Sequence, residues 1–138
     1  MLKVIKLGLA ERQVVNLLLQ RIVEAKVAQA RQIREIRRDL KLREVDRYIN
    51  EQIEEGQKLG VVWGWDDLLD EDNQNGRAEY TIEEADLRFL QGLLSQTDWT
   101  RGKNQIGQDI TVPISVGQME AVANLDEAIG DAIAGKNN

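Results

Sequence analysis

The chain has 138 residues, a formal net charge of -6 and a hydrophobic fraction of 42%, with only 4% aromatic residues. That length suits one domain, whose core has to be built mainly from Leu, Ile, Val and Ala. Cysteine and histidine are both absent, which excludes disulfides, thiolate metal sites, cysteine nucleophiles and the commonest general base near neutral pH.

Charge is unevenly distributed. Residues 1–50 carry 12 Lys/Arg against 6 Asp/Glu, or +6, whereas residues 51–138 carry 6 against 18, or -12. Such asymmetry suits a basic element that pairs with an acidic one, within the chain or between chains; the alternative is two independently solvated faces. No apolar run approaches the roughly 18–20 residues needed to span a bilayer. The opening MLKVIKLGLA is too short, and too soon followed by charge, for a secretory signal. The expectation is a soluble cytoplasmic protein with no membrane partner.

In chain order, residues 1–8 alternate apolar and polar side chains and predict a short strand or extended arm. From Glu11 the period becomes helical. Val15, Leu18, Leu19, Ile22, Ala25, Ile33, Ile36 and Leu40 fall on one side of a wheel, and no Gly or Pro occurs from Glu11 to Glu55. The stripe drifts as in a straight helix rather than holding a heptad, and Gln29 and Gln32 interrupt it. It then slips at Leu40-Lys41-Leu42 and resumes as Leu42, Val45, Ile49 and Ile53. One rod over 11–55 would be roughly 65–70 Å long, so a kink or a break into two helices is expected near 40–42, unless the length serves an oligomer. Gly56 and Gly60 supply the stop.

Residues 58–80 bear Trp63 and Trp65 and then turn acidic, and they predict a helical turn followed by a loop. Thr81-Ile82-Glu83-Glu84 has the form of a capping box opening a helix with Ala85, Phe89, Leu90, Leu93 and Leu94 on one side. Residues 96–109 read as a mobile loop and 110–114 as extended. Ser115-Val116-Gly117-Gln118 is a second capping box, before a helix with Val122, Leu125, Ile129 and Ile133 as its stripe. The fold class is therefore mainly α: a long amphipathic basic helix and two capped helices, with a minor sheet if 1–8 pairs with 110–114. The three parts of the single domain are 1–57, 58–80 and 81–138.

Three stretches carry candidate chemistry. DEDNQNGRAEYTIEE, residues 70–84, looks like a calcium loop but fails as one. With Gly76 at the sixth position, the twelfth, which needs a bidentate carboxylate, is Ile82. A turn on Asn75-Gly76 is the better reading, with weak ion contact by Asp70, Asp72 and Glu79 left open. The second stretch is basic. Arg31, Arg34, Arg38 and Lys41 fall within about 80° of one another at helical spacing, with Arg37 between them in sequence. Such a face suits a small anionic ligand held by guanidinium groups, or is simply solvated and stabilised by spaced ion pairs. Nucleic acid is opposed by a pI near 4.8 and by the lack of aromatics between the arginines. The third group is Trp63, Trp65 and Trp99, which either anchor a partner or fill gaps between helices.

No nucleophile–base pair, cofactor motif or glycine-rich phosphate loop can be assembled, so the reading is non-enzymatic. AEYTIEEADLRFLQGLLSQTDW and TVPISVGQMEAVANLDEAI, within residues 78–134, resemble in style the short accessory reading frames of bacteriophages and prophages, which place an extended segment before a capped, leucine-rich helix. That resemblance implies a small accessory protein acting in the host cytoplasm by binding, as an inhibitor or an assembly factor. The acidic half could then mimic nucleic acid toward a basic partner. The expected function is binding to a protein partner or to its own copy through the long helix and the tryptophans. The alternatives are an oligomer that sequesters a nucleotide-like anion on the arginine face, and a structural component of a phage particle.

Overall fold

A computed structural model describes residues 1–22, 26–61 and 64–136, with the side chains of 70 and 72–75 set aside. Leu2–Leu7 is strand β1, and its alternation sets its role: Ile5 and Leu7 are buried while Lys6 between them is exposed. Its partner is Ala78–Glu83, strand β2, antiparallel, with Leu2 opposite Glu83 and Leu7 opposite Ala78. Tyr80 and Ile82 are buried on the matching face, and Lys6 meets Glu79 at 3.8 Å on the other. The expected pairing of 1–8 with 110–114 is thus incorrect. The register claims the backbone of Thr81 as well, which sits opposite Val4. Thr81 is therefore a strand residue and not a cap. The helix behind it, α5 (Glu84–Gln96), has Glu83 at its N-cap.

Residues 11–55 form neither one helix nor two. They belong to α1 (Leu9–Gln20), α2 (Val27–Asp39) and α3 (Leu42–Leu59). The first break follows residue 20, where the Arg21 and Ile22 N–H groups turn back to the Leu18 and Leu19 carbonyls at 3.2 and 3.4 Å. No Gly or Pro marks it, so helix propensity alone does not announce it. The second break is where the stripe slips. Lys41 takes a left-handed φ of 51° between α2 and α3, and the buried Arg12 guanidinium donates to the carbonyls of Leu40 and Lys41, each at 3.3 Å. Gly60, with φ 71°, ends α3.

The acidic stretch expected to be a loop is helix α4, Trp65–Asn75. Asp66 and Asp67 lie in its first turn, where carboxylates complement the helix dipole. Asp67 Oδ2 accepts from the Gly64 N–H at 2.8 Å, and Leu68 is buried. Gly76 takes the expected positive φ, 74°, but directly after a helix that includes Asn75 rather than in a turn built on the pair. Residues 96–109 likewise contain structure: β3 (Arg101–Lys103) pairs with β4 (Asp109–Thr111) in an antiparallel hairpin. Of the second expected capping box, the N-cap half is shown. Ser115 Oγ accepts from the Gln118 N–H at 3.1 Å and opens α6, Val116–Ile133.

One core joins these pieces. Ala10, Val14, Val15 and Leu18 of α1 meet Leu87 and Leu90 of α5 and Leu125, Ile129 and Ala132 of α6, with β1 and β2 alongside. The described residues thus make a mainly helical fold of six helices with two small antiparallel sheets. No helix among them is long and apolar enough to cross a membrane.

Candidate functional site

The chain leaves α5 through Thr97-Asp98-Trp99-Thr100, and short-range bonds fix this turn. Thr97 Oγ1 donates to the Leu93 carbonyl at 2.7 Å. Asp98 Oδ1 accepts from the Thr100 hydroxyl at 2.6 Å and from its N–H at 3.0 Å, and Asp98 Oδ2 pairs with Arg101 at 3.2 Å. These bonds, led by that from the Thr100 side chain, hold the Asp98 carboxyl below its usual pKa. The half-buried Trp99 ring carries the Arg21 guanidinium over its face, 4.8 Å from the centroid. The turn is thereby tied to the end of α1 as well as to α5.

Opposite Trp99 runs the start of α6. Between them lies an open groove of about 800 Å³. One wall is Leu94, Thr97 and Trp99, the other is Met119, Val122, Ala123 and Asp126, and Ile114 closes one end. The spacing 119, 122, 123, 126 is one helix face over two turns. Met119 is 48% exposed and the neighbouring Val116 77%, so apolar surface continues past the groove. Concave, mostly apolar surface is the usual shape of a ligand-binding site, and a fixed aromatic is the usual anchor of a protein interface.

The structure separates the residues singled out in the sequence. Trp99 lies in the groove. Trp65 opens α4 and packs against the core beside Gly117 of α6, where an added Cβ would stand 3.0 Å from Trp65 Cβ; it is a packing residue. Trp63 lies outside the described residues. Arg31, Arg34 and Arg38 are exposed on α2, with Arg38 paired to Asp39 at 3.2 Å. Lys41 departs from their face because α2 ends at Asp39. Arg37 turns inward to Asp46 at 2.7 Å and Asn16 at 3.1 Å, so it braces α1, α2 and α3. Arg31, Arg34, Arg38 and Lys41 line none of the described clefts.

Sequence reasoning missed two features. One is the α6 wall: of the expected stripe Leu125 and Ile129 are buried, but Val122 is only half-buried and lines the groove beside Met119, for which nothing was expected. The other is a set of buried polar side chains, Glu11, Arg12, Asn16 and Asp86. Arg12 also lies over the Tyr80 ring at 5.1 Å, and Arg77 reaches Glu11 at 3.0 Å. The signal for these was Glu11-Arg12 set within the apolar run LGLAERQVVNLLL. Among the described residues no cluster of His, Cys, Asp or Glu is placed to hold a metal. No family model matches the chain, and neither a curated protein nor a solved structure is significantly similar to it.

Proposed function

We propose that this is a non-enzymatic interaction protein that holds a protein partner in the groove between Trp99 and α6. The observation that supports this reading is a solvent-open apolar trough whose single tryptophan is fixed from two sides, by the Asp98 turn and by Arg21. Aromatic anchors in preformed clefts supply much of the binding energy in protein interfaces, because little side-chain freedom is lost on docking. An inhibitory or accessory role in a host cytoplasm suits the small phage proteins that residues 78–134 resemble. Affinity capture from cells tests the reading, with the native chain set against Trp99→Ala and Met119→Asp variants of unchanged circular dichroism. A partner held by the native chain is lost from both variants; retention of the same partner by both overturns the assignment.

A second reading has one observation in its favour. Arg31 and Arg34 have no ion-pair partner among the described residues, which suits an oligomer that gathers them around a small anionic ligand. Native mass spectrometry of the purified protein separates the two: a multimer carrying a few hundred daltons of adduct, lost on Arg31→Ala/Arg34→Ala substitution, would favour the ligand.

A further inference from the structure

We infer that the partner segment taken by the Trp99 groove is a cationic amphipathic helix of two to three turns. This rests on the reading of the groove as a docking site and adds the chemistry of the occupant.

The α6 wall runs from Met119 to Asp126, about 10 Å at 1.5 Å per residue. None of the residues lining the groove belongs to a strand. An extended segment would find no ladder there for its backbone N–H and C=O groups, and burying them unpaired is costly. A helix satisfies its own backbone and presents side chains at i, i+3, i+4 and i+7, the spacing of the wall it faces.

Helix α6 carries Glu120, Asp126, Glu127 and Asp131 and no lysine or arginine. Only Asp131 has an ion-pair partner among the described residues, Lys136 at 3.6 Å. Asp126 lines the groove, and Glu120 and Glu127 stand exposed on the flank of α6 beside Ala123. The two nearby cations are already engaged, Arg21 over Trp99 and Arg101 with Asp98. The rim therefore offers three carboxylates to an incoming segment. An apolar stripe flanked by Lys or Arg meets both the floor and the rim, and acidic flanks would be repelled.

The test uses the full isotope-labelled chain and two synthetic peptides of about 14 residues, near the lower limit for helix formation in water. They share one Leu/Ala pattern at helical spacing, and their polar positions are all Lys in one and all Glu in the other. The Lys peptide should shift the Trp99 indole and the backbone signals of 97–100 and 119–126. Asp126→Lys should weaken it about 10-fold, whereas Glu51→Lys, far away on α3, should not. Binding should also fall several-fold when salt is raised from about 0.01 to 0.15 M. Equal binding of the Glu peptide in the groove would overturn the charge assignment and leave the docking site standing. Silence at these signals with both peptides would overturn both. Shifts there that track protein concentration without peptide would mean that a second copy is the occupant, which also overturns the proposal.

Discussion

The guanidinium carbon of Arg21 sits 4.8 Å above the ring of Trp99, and its Nη1 donates to the Asp98 carbonyl at 3.5 Å. The last turn of α1 thus holds the aromatic wall of the groove. An exposed cation–π contact contributes about 0.5–1 kcal/mol. Arg21→Ala should cost no more than about that in urea unfolding, yet it should broaden or split the Trp99 indole resonance, because the ring loses its fixed pose. A single sharp, unshifted indole signal in the variant would refute the role given to Arg21.

Trp99→Ala and Met119→Asp should separate docking from stability. Met119 is 48% exposed, so Met119→Asp should change unfolding free energy by no more than about 0.5 kcal/mol. Leu125, fully buried on the other side of the same helix, should lose about 2–5 kcal/mol on truncation to Ala. Urea denaturation of the two variants side by side measures this contrast across α6.

Lys41 offers a substitution expected to stabilise. Its left-handed φ of 51° strains any residue with a Cβ, at about 1 kcal/mol. Lys41→Gly should recover about half to all of that, less the freedom glycine adds to the unfolded chain. Arg12→Leu should act in the opposite sense. It strands the Leu40 carbonyl, while that of Lys41 keeps the Glu44 N–H at 3.1 Å, and should cost about 1–3 kcal/mol, since a buried acceptor without a donor carries its full desolvation penalty. Thermal unfolding of both variants reads the opposed signs.

Asp86 gives the pH dependence. Burial, more than any other cause, raises its pKa above 3.8, with Glu35, Asp39 and Glu83 adding to the shift and the Gln32 hydrogen bond opposing it. A carboxyl that ionises less readily in the folded state than in the unfolded one opposes folding at pH above its folded pKa. That opposition fades as pH falls through the folded pKa toward 3.8. Asp86→Asn should therefore stabilise the protein at neutral pH, and the gain over the native chain should shrink on acidification. Unfolding curves at pH 7 and pH 4 provide the check; a gain that grows as pH falls would have the wrong sign.

Much of the helical content was legible because Leu, Ile and Val recur at helical spacing, and Ser115 announced α6 by a cap that is purely local. Thr81 has the same local form and failed, because β1, more than 70 residues earlier, claims its backbone. Local chemistry cannot reveal that competitor. The break after Gln20 was hidden as well, because propensity favours continuation there. The groove was half legible. Trp99 stood out as a rare aromatic, whereas its opposite wall was concealed because Val122 follows the same spacing as core residues.

The pairing of β1 with β2 has a consequence for synthesis. Strand β1 is made some 70 residues before its partner β2, and α6, which packs on β1, follows later still. At about 5–20 residues per second, Ile5 and Leu7 spend several seconds on a nascent chain with no strand to join. The core then closes only when α6 has also left the ribosome. Chains stalled before residue 116 should thus expose β1 to chaperones and to proteolysis, so that the accessibility of one strand would report whether a helix more than 100 residues further on has been made.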